Sequence, residues 1–343
     1  MFLPFRRRLQ PELFYKLSSK YDPRLQILNI SKRQNYTLSG QVDLAYTSFL
    51  PKHVNQTDEA VLILHGLFGN QRQWHSLTKA LLRAHQKPIY TLDLRNHGKS
   101  PRNEVMTYKA MATDVWEFIQ KKELKKVAVL GHSMGGKVTM TLALLPEIQD
   151  SQILTHLVVS DMPPVYAPLS RDFLSYIAAM QKVNKLPTGN IKTLNDADHA
   201  LAQYISDPSI RQFLLSNFRI PHLQLHPHLH SPTPLEHTHA HFSLPLSILQ
   251  SALPSLGQFP YSWTNTQDVN RKWDGPVLLV KGAKSGHVQK EHLLAMRTFF
   301  PQVKVEVMDT GHWVHVEKPN EFKNCVLTFL EGIYVPHDGT RWS

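Results

Sequence analysis

A doubly wound α/β fold, with a mostly parallel sheet and an inserted helical cap, is predicted by three features of this 343-residue sequence. Short continuous apolar runs recur along the chain and alternate with helical patterns. A Gly-x-Ser-x-Gly pentapeptide sits between one such run and the helix after it. The rhythm breaks once, after Pro163-Pro164, and resumes about 110 residues later.

Taken in order, Gln41–Thr47 alternates apolar Val42, Leu44 and Tyr46 with polar residues, the pattern of an edge strand with one wet face. Ala60–Leu64, Pro88–Asp93, Lys126–Gly131 and Ile153–Ser160 are unbroken apolar runs, as strands buried on both faces of a parallel sheet require. Between them, Trp74, Leu77 and Leu81, then Met111, Val115, Phe118 and Ile119, then Val138–Leu145 carry helical spacing. After the break come a strand at Pro276–Lys281, a helix near Val288–Phe300, a strand at Val303–Met308 and a last helix from Pro319. The expected organisation is a basic leader at 1–33, a core in two parts at 34–164 and 275–335, and a cap at 165–274 over the sheet's ligand edge. Within the cap, residues 217–241 hold seven histidines and four prolines. His226, His228 and His230 stand at spacing two, but the stretch reads as a low-complexity surface loop and no metal site is assigned.

The net charge is +11, and six of those charges fall in residues 1–33, where eight basic residues face only Glu12 and Asp22. Phe5, Leu9, Leu13 and Leu17 form an apolar stripe beside the arginines, the pattern of a mitochondrial transit peptide. The other residues show no basic stripe with interleaved aromatics, which argues against nucleic acid as a partner. No run approaches the roughly 18 apolar residues of a membrane span. The single cysteine, Cys325, excludes an intramolecular disulfide framework and reads as a small core hydrophobe.

The pentapeptide Gly131-His132-Ser133-Met134-Gly135 follows the apolar strand directly and opens a helix, the context of a nucleophile elbow. Such a turn strains the serine backbone, brings helix and strand together and aims helix amides at the reacting bond. A serine hydroxyl needs a base, and the base an orienting carboxylate. His312, in the loop between the last strand and last helix, is the expected base; His315 is a neighbour without a direct role. The loop after Pro276–Lys281, a common place for the acid, reads Gly-Ala-Lys-Ser-Gly-His and offers none. Asp161, at the end of the preceding strand, is the expected acid, with Ser285 as a supporting hydrogen-bonder and Asp309 as competitor. The N–H groups of Met134 and Leu67 are expected to hold the oxyanion. Phe68 and Trp313 would make the neighbouring pocket apolar, suited to an acyl chain.

The segments HGLFGN (65–70), DLRNHGKS (93–100), GHSMGGK (131–137), SDMPP (160–164) and GHWVHVEKP (311–319) resemble the α/β-hydrolase-domain-11 group. IRQFLLSNF (210–218) and FSLPLSILQSALPSLGQFPY (242–261) resemble its cap segments, so the likeness runs in order from about residue 40 to 332. The resemblance implies an α/β-hydrolase fold, Ser133 as nucleophile, His312 as base and an acid at Asp161. Pro163 departs from the small residue usual in that turn. The implied activity is cleavage of a carboxylic ester or thioester of a small or lipid-like acyl substrate, an acyl ester or acyl-CoA, without metal or organic cofactor. Because the group holds ethanol acetyltransferases, transfer from acetyl-CoA to an alcohol is the alternative. A non-catalytic binding protein on the same fold is a further one.

Overall fold

The structure is a computed structural model describing residues 27–29, 40–52, 58–221, 239–268 and 270–335. The leader, apart from 27–29, and His226, His228 and His230 of the His/Pro-rich stretch lie outside the described residues.

One eight-stranded sheet organises the larger unit. Its strands are β1 (Ile27–Asn29), β2 (Tyr46–Phe49), β3 (Glu59–Leu64), β4 (Ile89–Leu92), β5 (Lys126–His132), β6 (Leu154–Ser160), and then, past the insertion, Val277–Gly282 and Val303–Met308. In space the order is β1-β2-β4-β3-β5-β6, followed by those last two. β1 and β2 pair antiparallel to their neighbours and every other pairing is parallel. Burial explains the apolar runs. Residues 60–64 of β3, the 127–132 stretch of β5 and all of Val277–Gly282 are buried, since helices cover both sheet faces. Those helices include α1 (His75–His85), α2 (Tyr108–Lys121), α3 (Met134–Ala143) and the short α4 (Pro146–Ser151). Among the described residues no helix is long and apolar enough to cross a membrane.

Two boundaries differ from the sequence expectation. The first strand was expected at Gln41–Thr47 but lies at Tyr46–Phe49. Side chains from distant segments take the earlier amides: Val42 N–H donates to Asp114 Oδ1 at 2.9 Å and Ala45 N–H to Ser100 Oγ at 2.8 Å. Pairing of Ile27–Asn29 with Thr47–Phe49 also places three residues of the expected leader in the sheet.

The second concerns the insertion. Ser170–Leu246 forms a compact unit of its own, whereas 247–274 belong with the sheet. This smaller unit holds α5 (Arg171–Asn184), α6 (Leu194–Ala202), α7 (Pro208–Leu215) and the pair β7 (Phe218–Arg219) and β8 (His241–Phe242). Polar caps start each helix: the Ser170, Thr193 and Asp207 side chains accept amides at Asp172, Asp196 and Ser209. From α8 (Leu246–Gly257) the chain is tied back to the sheet's helices. Tyr108 Oη donates to Leu256 O at 2.8 Å, and Lys137 Nζ to Gly257 O at 3.0 Å and Gln258 O at 2.8 Å. Then follow β9 (Val277–Gly282), α9 (His292–Phe299), β10 (Val303–Met308), α10 (Val314–Glu317) and α11 (Pro319–Leu330).

A buried ion pair fastens the loop after β4. Arg95 donates through Nε and Nη2 to both oxygens of Asp114, each at 2.7 Å, and the two side chains are 1% and 0% exposed. Further guanidinium bonds reach the Val105, Gly40 and Ala110 carbonyls.

Candidate active site

Ser133 lies between β5 and α3 with φ 54° and ψ −116°, a backbone that an L-residue adopts only under strain. The glycines around it permit that turn by sterics. A Cβ on Gly135 would lie 2.5 Å from Leu64 O and 2.7 Å from His65 O, both rigid backbone atoms. One on Gly131 would strike the Gly135 carbonyl and Thr139 Oγ1. The helix therefore starts against the end of β3, with Ser133 half-exposed at its tip.

Asp161 and His312, the expected acid and base, meet at the same carboxyl edge of the sheet. His312 Nδ1 donates to Asp161 Oδ2 at 2.8 Å; the imidazole is 19% exposed and the carboxylate 0%. Asp161 is further held by Gly282 N–H on Oδ1 at 3.0 Å and by the Ser285 hydroxyl on Oδ2. Its own amide bonds Val280 O at 2.8 Å, and its φ of 52° turns the chain sharply off β6. With Nδ1 engaged, Nε2 is the nitrogen of His312 left to exchange protons. Asp309 instead forms an ion pair with Lys284 at 2.6 Å on the surface, where the two side chains are 69% and 64% exposed.

The loop after β3 runs past the elbow: a Cβ on Gly66 would lie 3.3 Å from Ser133 Cβ. Two neutral histidines fix this loop. His97 Nδ1–H donates to Arg95 O at 2.9 Å while Nε2 accepts Phe68 N–H at 3.1 Å. His65 Nδ1–H donates to Gly66 O at 2.8 Å and Nε2 accepts Leu94 N–H at 3.0 Å. A ring that donates at one nitrogen and accepts at the other is uncharged. Burial enforces this, lowering the pKa to about 4 for His65 and about 3 for His97. Neither Leu67 N–H nor Met134 N–H is among the backbone donors bonded to a carbonyl in the loops and turns of the described residues.

Of the two aromatic residues expected in the pocket, Trp313 is half-buried but Phe68 has no accessible surface. Phe68 is locked at φ 60° with its amide on His97, which leaves Trp313 as the member that presents surface. His315 is buried with its ring stacked on Trp74, centroids 4.1 Å apart and 7° from parallel. Two further imidazoles touch His312, and sequence patterning gave neither a role. His132 donates from Nε2 to His312 O at 3.0 Å, with its ring centroid 4.7 Å from that of His312. His287 lies closer, at 3.9 Å and 33°. A histidine in the expected acid loop, two residues past a serine, was the available signal.

Among the described residues no three His, Cys, Asp or Glu side chains are grouped to hold a metal ion. Cys325 is buried on α11, and burial raises its thiol to about 12, as for an inert core residue.

Comparison with known proteins agrees with this architecture. Residues 59–199 match the alpha/beta hydrolase fold family. The sn-1-specific diacylglycerol lipase ABHD11 of Xenopus laevis is 34% identical over 275 residues, 79% of each chain. A probable alcohol acetyltransferase of Saccharomyces cerevisiae is 33% identical over 299 residues, 84% of each chain. Among solved structures, a marine microorganism esterase superposes with a TM-score of 0.69 at 24% identity, covering 84% of this chain and all of that one. Sheet order, elbow and sequence likeness together establish that the chain belongs to the α/β-hydrolase fold family, in the group that contains ABHD11 and its fungal relatives.

Proposed function

We propose that the chain is a serine hydrolase that cleaves carboxylic ester or thioester bonds through an acyl-enzyme, with Ser133 as nucleophile, His312 as base and Asp161 as the orienting acid. The observation that carries this is the buried Asp161 hydrogen-bonded to His312 Nδ1, at the sheet edge where the elbow presents Ser133. His312 Nε2 takes the Ser133 proton as Oγ attacks the carbonyl carbon. The carbonyl oxygen gains negative charge and is held by the N–H groups of Leu67 and Met134, the second at a helix start. As the tetrahedral adduct collapses, the bond to the leaving alcohol or thiol breaks and His312 returns the proton to that group. Water then attacks the acyl-enzyme with the same base, releasing the acid and restoring Ser133.

The relatives named diacylglycerol lipases favour a lipid-like ester as substrate. A panel of p-nitrophenyl esters, diacylglycerol and acyl-CoA, with and without ethanol, tests the reading. Release of free acid from an uncharged ester, lost in Ser133→Ala, supports it; no release from any member contradicts it. The relatives named alcohol acetyltransferases favour a second reading in which an alcohol replaces water in the last step. Ethyl ester formation from acetyl-CoA in the ethanol arm distinguishes it. The basic segment 1–33 is proposed as a mitochondrial address, tested by its ability to redirect a fused reporter.

A further inference from the structure

The base is held by more than its acid. A hydrogen bond at Nδ1 fixes one point of the His312 ring, while rotation about Cβ–Cγ is intrinsically broad for an imidazole. The turn after β9 supplies the missing restraint. His287 N–H donates to Ser285 Oγ at 3.2 Å, and the Ser285 hydroxyl donates to the same Asp161 Oδ2 that accepts from His312. The His287 ring then returns onto the His312 ring, closing a circuit of four residues. The turn is pinned to the base's own loop, because Lys284 N–H donates to Thr310 O at 2.9 Å and Ala283 N–H to Met308 O at 2.8 Å.

We propose that His287 is a positioning residue, whose ring face fixes the tilt of the catalytic imidazole and so the direction in which Nε2 is presented for both proton transfers. Placing a base is worth large rate factors, since small misalignments of a reacting group cost far more than they cost in binding. The charge state of His287 suits the task. Burial first, and then the neighbouring His312, lowers its pKa to about 4, with Asp161 opposing and Lys137 adding to the effect. At neutral pH it therefore offers an uncharged face to a ring that becomes an imidazolium in each turnover. An uncharged aromatic face attracts such a cation, whereas a charged neighbour would repel it. The contact needs a flat ring and no proton chemistry from His287 itself.

The inference rests on His312 as the base, and the two are tested separately with the full chain and p-nitrophenyl acetate as probe. His287→Ala is expected to lower kcat about tenfold with KM within about twofold, and His287→Phe to restore kcat to within about threefold. Thermal unfolding of each variant shows that the fold survives. Should the alanine variant not fold, His287→Leu, which fills the space without a flat ring, takes its place and is expected to be equally slow. Full kcat in the alanine or leucine variant would overturn the proposal. So would a phenylalanine variant as slow as alanine, because that would make the imidazole nitrogens the necessary feature. His312→Ala that kept turnover would instead remove the base assignment itself, whatever the His287 series did.

Discussion

Asp161→Asn is the perturbation whose consequence the geometry specifies most fully. The carboxylate is completely buried and accepts from Gly282 N–H on Oδ1 and from both His312 Nδ1–H and Ser285 Oγ–H on Oδ2. In the amide, the Gly282 donor requires the carbonyl oxygen to keep the Oδ1 position. The new NH₂ must then face His312. Two donors cannot share that contact, so Nδ1 gives up its proton and becomes an acceptor, and the proton resides on Nε2. That nitrogen is then occupied before Ser133 needs it. A wrong tautomer of this kind costs about 10⁴-fold in kcat, or roughly 5.5 kcal/mol of transition-state stabilisation. Loss of one charge-assisted contact costs stability by only about 1–3 kcal/mol, so the variant still folds. Asp309→Asn is the matched control. Its ion pair with Lys284 is mostly exposed and is worth about 1 kcal/mol or less, so turnover should stay within about twofold. Steady-state hydrolysis of p-nitrophenyl acetate reads both. Retention of more than about a tenth of kcat in Asp161→Asn, or a larger loss in Asp309→Asn, would refute the reasoning.

Other consequences follow from single residues. Ser133→Gly abolishes turnover yet raises Tm by about 2–4 °C, since release of roughly 1–3 kcal/mol of backbone strain exceeds the extra freedom of an unfolded glycine; a lowered Tm contradicts this. Gly135→Ala puts a methyl group against the Leu64 and His65 carbonyls and destabilises by about 3 kcal/mol, so an unchanged urea midpoint would count against the close approach. Asp114→Ala strands the buried Arg95 guanidinium and costs about 3–5 kcal/mol in the same assay. Acid should unfold the chain through its histidines. His65, His97, His287 and His315 have folded pKa values lowered to about 3–4, below the ordinary 6.5, so the unfolded state binds more protons in that window. Their contribution is fully present above pH 6.5 and declines as pH falls toward 3. With His132, whose pKa burial also holds well below the ordinary value, the slope of unfolding free energy near pH 5 should report uptake of at least about four protons, and a slope near zero would contradict it.

Where the sequence was informative, the determinants are local. The Gly131 and Gly135 spacing around Ser133 and the unbroken apolar runs of β3, β5 and β9 encode the elbow and the buried sheet in a few consecutive residues. Asp161 was legible for a similar reason, standing at the end of an apolar strand opposite an acid-free loop. What escaped depends on contacts far apart in the chain. Asp114 and Ser100 capture the amides of Val42 and Ala45 from 72 and 55 residues away and so shift the first long strand toward Phe49. Lys137 and Tyr108 reach carbonyls more than 100 residues on, drawing 247–274 out of the expected cap and into the sheet-bearing unit. His287 looked like one residue of a polar turn. Its place against His312 exists only once β9 and β10 are paired. Phe68 was expected in the pocket because it is apolar and beside the oxyanion loop, but the His97 bond and left-handed backbone bury it.

The central claim is that Ser133 is a nucleophile activated by His312 and Asp161. Treatment of the folded full-length chain with a fluorophosphonate, followed by mass mapping of the modified peptide, tests it most directly. The expected result is a single adduct on Ser133, absent from Ser133→Ala and slowed by orders of magnitude in His312→Ala and Asp161→Asn. A folded chain that hydrolyses esters while Ser133 stays unmodified, or an adduct on another serine that survives Ser133→Ala, would contradict it.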